Sequence, residues 1–327
     1  MFLRFFRSTS APVILFIPFL GFLLWLHALL SPPDAEFFFD KAQMPFYKFI
    51  TNLFSTQSFA STFLTYSLVV FQGFLLVRLN TQFIFINNRS YLPALFFILI
   101  TAAIPDLQRL NPVIFSGFFL LLALEKIFES FGNSKLAYTY FVATFYLSVG
   151  SMFYPFLVFF MPIIWICLVV LRPFNWREWL FTILGFLAPI FIVFSFYYLL
   201  YDQPFRIIED IHAIFRYKYK APDYPIPVIV FLATVMFLVV LASQFMLRIF
   251  QSIKIFPRKA FTIFLWLFVN IVAVFLVISK ASFELIYLGA IPVSYLLAHY
   301  FAFIKSVFWG NVFLVTLFIL LMIIQTW

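Results

Sequence analysis

Long, unbroken runs of apolar residues alternate with short polar segments along this chain, and the pattern predicts membrane-spanning helices. A helix needs about 20 apolar residues to cross the hydrocarbon core of a bilayer, whereas a barrel strand alternates apolar and polar residues. The pattern places about eleven spans, near residues 12–30, 58–79, 90–105, 111–128, 136–150, 152–171, 178–200, 226–248, 260–279, 283–304 and 307–326. Half-helices are an alternative for the third to fifth spans, which are short and bounded by Pro or Gly. We therefore expect an all-α, polytopic membrane protein in which residues 1–327 form one membrane domain without a soluble domain.

Two loops between the spans are long, and each shows the apolar spacing of an amphipathic helix. The first loop covers residues 31–57, and after Pro45 its apolar positions recur at Phe46, Phe49, Ile50, Leu53 and Phe54. The second covers residues 201–225 and has the same spacing at Ile207, Ile208, Ile211, Ile214 and Phe215. Helices of this kind beside membrane spans should lie flat in the interface between lipid and water.

The composition excludes the soluble classes of protein. Of the 327 residues, 65% are hydrophobic and 10% are charged, whereas a soluble protein is about 25% charged. The single cysteine, Cys167, excludes an internal disulfide and a cysteine metal cluster. There is no glycine-rich phosphate loop, and none of the three histidines lies in an HExxH pattern. Nucleotide or zinc hydrolysis by a standard motif is therefore not expected.

The distribution of Lys and Arg predicts the orientation in the membrane. With the N-terminus inside, the inner loops hold thirteen of the 21 cations against three acids, and the outer loops hold eight cations against nine acids. We therefore place the N-terminus in the cytoplasm and the C-terminus outside, in a bacterial inner membrane. The apolar run 11–30 exceeds the roughly 7–15 residues of a signal-peptide core, so we expect it to remain as the first span.

The two outer loops also contain most of the candidate chemistry. The acids that follow the first span are Asp34, Glu36 and Asp40, and the cations of the second loop are Arg206, Arg216, Lys218 and Lys220. Each set has a simpler interpretation. The acids can be solvated charges just outside a helix end, and the Tyr/Lys string around residues 216–220 can anchor helices at the headgroups.

The remaining polar residues predict structural roles. Asp106 and Arg109 mark a tight outer turn in which Asn111 can cap the next helix. His27 and His299 lie in or near spans and are expected to be satisfied interior groups. The sequence shows no charge that should be strongly buried in the middle of a span, which argues against a proton pump.

The N-terminal two thirds resembles the GT-C superfamily of membrane-embedded glycosyltransferases. The similarity is the order of an acidic pair (Asp34 and Glu36) in the first outer loop, an interfacial helix, a long second span and then short apolar segments. The resemblance implies that these acids, with Asp40 nearby, act as base or hold a divalent metal. It also implies that Arg206, Arg216, Lys218 and Lys220 bind the phosphate of a polyprenyl-linked donor. The whole chain also looks like an uncharacterised family of Phe-rich bacterial inner-membrane proteins.

Three functions are compatible with this sequence. The first is a GT-C-like transferase that uses a polyprenyl-phosphate-linked sugar on the outer face of the membrane. The second is a non-catalytic structural or assembly subunit of a cell-envelope complex, whose helices pack against partner subunits. The third is a transporter of lipids or small molecules, which would often show two related halves. The expected partners are membrane lipids, polyprenyl phosphate and other membrane subunits, without nucleic acid.

Overall fold

The computed structural model describes residues 2–8, 10–34, 37–41, 43–54, 58–86, 90–131, 137–201, 224–278 and 283–326. Over these residues the fold consists of helices and connecting segments, without strands. The α-helices are α1 (Phe2–Arg7), α2 (Ala11–Leu30), α3 (Phe38–Lys41), α4 (Pro45–Leu53), α5 (Phe59–Phe83), α6 (Leu92–Thr101), α7 (Pro112–Glu129), α8 (Ala137–Ser151), α9 (Met161–Leu171), α10 (Trp176–Tyr201), α11 (Ile226–Ile249), α12 (Ile255–Val277), α13 (Ile286–Phe303) and α14 (Val307–Thr326). Short 3₁₀ helices cover Pro105–Leu107, Pro155–Phe160, Phe250–Ser252 and Phe283–Leu285. The predicted all-α class is confirmed.

Seven helices of the described chain are long and apolar enough to cross a membrane. They are α2, α5, α10, α11, α12, α13 and α14. The expected count of eleven spans is not confirmed, because the intervening helices are shorter or more charged. Helix α6 has ten residues and therefore a length of about 15 Å, half of a typical hydrocarbon core.

The centre of the bundle is formed by α6 and α13, which pack against each other. All ten residues of α6 are buried, and α13 also contacts α7, α11 and α12. The Tyr295 hydroxyl of α13 donates to the Leu76 carbonyl of α5 at 2.7 Å. In contrast, α10 lies at the edge and packs mainly along α8.

Local sequence signals explain where the helices begin. Proline occupies the first turn of α2, α4, α6, α7, α9 and α11, where its missing N–H has no helical partner to lose. Ser58 Oγ accepts from the Ser61 N–H at the start of α5. Asn111 Oδ1 accepts from the Val113 N–H at 2.9 Å, so the prediction that Asn111 caps α7 is confirmed.

The first amphipathic segment forms α4, whose apolar side chains lie partly against the core and partly outward. Tyr47 is fully buried, and Phe46 and Ile50 pack against the core. Phe49 and Leu53 are exposed, at 64% and 62%. The second amphipathic segment lies outside the described residues, so it stays a prediction.

Successive helices connect two ends of the bundle. We call one the Asp106 end; it comprises α4, residues 102–111, residues 152–154, the start of α11 and residues 283–285. Hydrogen bonds from Tyr47 to Leu110 and from Tyr154 to Glu284 join these parts. The other, the Lys254 end, comprises α1 and the turns at residues 84–86, 250–254 and 304–306. Arg7 of α1 donates there to the carbonyls of Phe301 and Ile304, at 2.8 and 3.1 Å.

Candidate functional site

The segment between α6 and α7, which we call the 102–111 loop, organises the Asp106 end. Two tyrosines from distant helices fix its backbone: the Tyr47 hydroxyl donates to the Leu110 carbonyl at 3.1 Å, and the Tyr287 hydroxyl donates to the Leu107 carbonyl at 3.0 Å. Both tyrosines are buried. Because buried carbonyls are costly to leave without a partner, these bonds hold the loop in one conformation.

The Ala102 carbonyl, at the start of this loop, accepts two amide groups. One is the Gln108 side chain at 3.1 Å, and the other is the Gln325 side chain at 3.0 Å. Gln325 belongs to the last turn of α14. The end of the described chain is thereby attached to the same loop as α4 and α13.

A cavity of about 400 Å³ lies beside this loop, which we call the Asp106 cavity. Its walls come from the 102–111 loop and from the ends of α2, α11 and α14, and its polar lining includes His27, Asp106, Tyr224, Gln325 and Thr326. Burial raises the pKa of the Asp106 carboxyl above its ordinary value. A carboxyl with a raised pKa in a concave site is suited to exchange protons with a bound molecule.

On another part of the loop, Arg109 forms an ion pair with Asp40 of α3. The Arg109 side chain is almost fully buried, and its Cζ lies 5.8 and 5.9 Å from the ring centroids of Phe37 and Phe39. Asp40 Oδ2 also accepts from the Phe37 N–H at 2.9 Å. Burial and the charge of Asp40 together raise the pKa of the nearby Tyr47. Asp40 therefore connects the first loop to the 102–111 loop.

Glu284 is a buried acid that sequence reasoning missed. It is 0% exposed and lies in the short helix that leads into α13. The Tyr154 hydroxyl donates to Glu284 Oε1 at 3.3 Å. Glu284 lies at the start of the Phe283–Phe303 span, whereas the expectation from the sequence concerned charges in the middle of a span. The sequence around Glu284 gave no signal of its burial, because its hydrogen-bond partner Tyr154 lies 130 residues away.

The predicted site residues are placed as follows. Asp34 is exposed, just before α3. Asp40 is paired with Arg109. Glu36, Arg206, Arg216, Lys218 and Lys220 lie outside the described residues, so the proposed acid pair and phosphate clamp stay predictions. His27 is exposed at the Asp106 cavity and is not the interior group that we expected.

Within the part of the chain that the structure describes, no group of three or more His, Cys, Asp or Glu residues is arranged to hold a metal ion. Asp34 is described and Glu36 is not. The proposed metal at these two acids is therefore untested.

Apolar helices of this length, with tyrosines and glutamates buried in the bundle, define a polytopic α-helical membrane protein. The chain belongs to DUF6427, a family of unknown function whose match covers residues 29–327. No curated protein matches it, and no solved structure does. The resemblance to GT-C glycosyltransferases gains no support from these comparisons and stays a prediction.

Proposed function

We propose that this protein transfers a sugar or a similar group from a polyprenyl-phosphate-linked donor, with Asp106 as the proton acceptor. The supporting observation is the Asp106 cavity, in which burial raises the pKa of a carboxyl at the mouth of a helical membrane bundle. A concave site with few polar groups and one perturbed carboxyl is a typical arrangement for catalysis. In this proposal Asp106 replaces Asp34 and Glu36 as the base.

The reaction would proceed as a substitution at the sugar carbon. An acceptor hydroxyl attacks that carbon and gives its proton to the Asp106 carboxylate. The bond between the carbon and the donor phosphate oxygen breaks, and polyprenyl phosphate leaves with the electron pair. A base with a raised pKa takes the proton more readily than an ordinary carboxylate, which is the chemical advantage of burying Asp106.

Other features of the Asp106 end fit a lipid-linked donor. Phe49 and Leu53 of α4 expose an apolar ridge, which suits an interfacial helix beside the lipid chains. In the sequence, Lys218 and Lys220 precede the cavity residue Tyr224 by six and four residues; cations there would stabilise the charge on the departing phosphate. Asp40 is then a positioning residue, which acts through Arg109 on the 102–111 loop.

The orientation belongs to the same proposal. We infer that the Asp106 end faces the outside of a bacterial inner membrane, because the predicted cytoplasmic loops contain the excess of Lys and Arg. The transfer would then take place on the outer face, where polyprenyl-linked sugars are used to build envelope glycans.

An Asp106→Asn variant tests this function. Vesicles containing the purified protein would receive a polyprenyl phosphate bearing a labelled hexose, and membranes from cells lacking the protein would supply the acceptor. We expect transfer by the wild-type protein to rise with pH as Asp106 loses its proton, and transfer by Asp106→Asn to fall by about 100-fold or more. Donor binding, followed by photo-crosslinking, should persist in the variant.

The matched control is Asp34→Asn, since Asp34 is an exposed acid of the neighbouring loop. Unchanged transfer by this variant supports Asp106 as the base. Loss of transfer in Asp34→Asn, with normal rates in Asp106→Asn, would show that the base is Asp34 in the first loop and not Asp106. Absence of transfer by the wild-type protein would contradict the enzymatic proposal.

A second candidate function is that of a subunit in an envelope complex, and α10 is the observation that favours it. This helix packs mainly along α8; Trp165 of α9 donates to its Thr182 at 3.2 Å, and Arg172 donates to its Glu178 at 2.5 Å. Only 22% of its span is buried. A stable partner in mild-detergent extracts, lost on substitution of the exposed Phe191 by Asn, would support this role. A monodisperse monomer from native membranes would contradict it.

A further inference from the structure

The Lys254 end contains a second cavity, of about 500 Å³, which we call the His299 cavity. It lies between the end of α5, the turn from α11 to α12 and the end of α13. Its walls are mostly apolar and include Phe83, Ile84, Phe85, Phe256 and Phe303. Its polar groups include Lys254 and His299. A largely apolar cavity of this size with a few polar groups is typical of a small-molecule site.

His299 is the polar group that requires a partner. It is 4% exposed, and its ring lies 4.7 Å from that of Phe261 and 5.0 Å from that of Phe303, measured between centroids. Its buried Nδ1 has no hydrogen-bond partner among the described residues. A buried nitrogen without a partner destabilises the protein unless a bound molecule supplies one.

The backbone of the cavity wall is also unusual. Ile84 has φ 51° and ψ 51°, the left-handed region, which β-branched residues avoid because the Cβ crowds the following carbonyl. Neighbouring hydrogen bonds hold it there: the Ile84 N–H donates to the Asn80 carbonyl at 2.8 Å, and the Asn80 side chain accepts from the Ile86 N–H at 2.9 Å. Strain of this kind is concentrated at binding sites, where a rigid surround maintains it.

The position of the cavity indicates the chemistry of its occupant. Lys254 is exposed in the turn between two helices that can each cross the membrane, so it lies at the level of the lipid headgroups. Arg258 follows within the first turn of α12. Positive charge at the rim and aromatic rings inside match a molecule with an anionic head and an apolar chain.

We propose that the His299 cavity binds one anionic phospholipid of the surrounding bilayer. The phosphate lies against Lys254, an oxygen of the headgroup or ester accepts the Nδ1–H of His299, and an acyl chain contacts Phe85 and Phe256. This site is separate from the Asp106 cavity, which lies at the opposite end of the helices. Its occupancy therefore does not depend on the proposed transferase activity.

Binding can be measured on the full-length protein in a neutral detergent, by native mass spectrometry and by thermal unfolding. The probes are phosphatidylglycerol, which is anionic, phosphatidylcholine with the same chains, which is zwitterionic, and inorganic phosphate. We expect phosphatidylglycerol to remain bound and to raise the Tm, with little effect of the other two. An equal effect of phosphatidylcholine, or of phosphate alone, would overturn the proposal, since either removes the need for an anionic lipid.

Two variants and a control locate the site. Lys254→Gln should weaken phosphatidylglycerol binding about fivefold, because one cation near a lipid surface strengthens binding by about that factor. The control is Lys305→Gln, which removes an exposed cation outside the cavity and should bind the lipid as the wild type does. His299→Phe keeps an aromatic ring and removes the nitrogens. It should be at least as stable as the wild type without lipid and gain less from phosphatidylglycerol. Equal lipid gains in wild type and His299→Phe, or equal binding by both Lys variants, would contradict the site.

Discussion

Helices α13 and α10 are both apolar enough to cross a membrane, yet they have opposite environments. In the span that contains α13, 83% of the apolar window is buried, against 22% for α10. The buried span has the lower mean hydropathy of the two, and its buried polar side chains include Ser294, Tyr295 and His299. The exposed helix presents Leu187, Phe191 and similar side chains outward.

The difference shows how burial works when the solvent is lipid. Hydrocarbon solvates leucine and phenylalanine well, so burial inside the bundle gains little for them. Polar groups gain far more from the interior, where they find partners. The central span of this protein therefore differs from the peripheral one by its buried hydroxyls and imidazole and by its lower mean hydropathy.

Of three substitutions that test this difference, Glu284→Ala should cause the largest loss in the free energy of unfolding. The substitution removes a fully buried side chain at the start of α13 and the acceptor of the Tyr154 hydroxyl. We expect a loss of about 3 kcal/mol in the free energy of unfolding, from the cavity and the unpaired hydroxyl together. Titration with SDS in mixed micelles, followed by circular dichroism, measures it. The control is Asp34→Ala, an exposed acid at the same end; equal losses in both variants would show that burial of Glu284 contributes nothing.

Gly185→Leu tests a close contact between the exposed helix and α8. A Cβ at Gly185 would lie 2.3 Å from the Phe141 carbonyl oxygen and 2.4 Å from the Thr144 hydroxyl, so α10 cannot approach α8 as closely with a larger residue. We expect a loss of about 2 kcal/mol and weaker protection of α8 and α10 in hydrogen exchange, with α13 unaffected. Loss of protection across the whole bundle would show that α10 is not peripheral.

Phe191→Ala should have the smallest effect. Phe191 is 71% exposed on α10, where it exchanges one apolar surface for another in lipid. We expect a change within about 0.5 kcal/mol, in the same SDS titration. A loss comparable to that of Gly185→Leu would indicate that another protein surface, and not lipid, covers this face.

Local signals in the sequence predicted the helical elements and their caps well, but they predicted poorly which distant side chains contact each other. Asn111 was identified as a cap because its acceptor lies two residues from the donor that it binds. The burial of Tyr47 was not predicted, because the carbonyl that its hydroxyl binds lies 63 residues away. The pair of Asp40 and Arg109 spans 69 residues. Such pairings depend on how the helices pack, which one sequence does not encode in any local pattern.

The candidate site shows the same division. Asp106 and Arg109 were recognised as turn residues, but the surroundings of Asp106 come from helices both earlier and later in the chain, and Arg109 pairs with the distant Asp40. The lone His299 was expected to be a satisfied interior group, and the structure instead leaves Nδ1 without a partner among the described residues. Whether a buried polar group has a hydrogen-bond partner depends on how the helices pack, so the spacing of residues along the chain cannot reveal it.

The hydrogen bond from Gln325 to the Ala102 carbonyl has a consequence for biogenesis. The two residues are 223 positions apart, and Tyr287, which fixes the same loop, follows Leu107 by 180. A ribosome delivers the 102–111 loop to the membrane long before either partner exists. During that interval the loop lacks both of these donors. Completion of the last helix is therefore also the step that closes the wall of the Asp106 cavity.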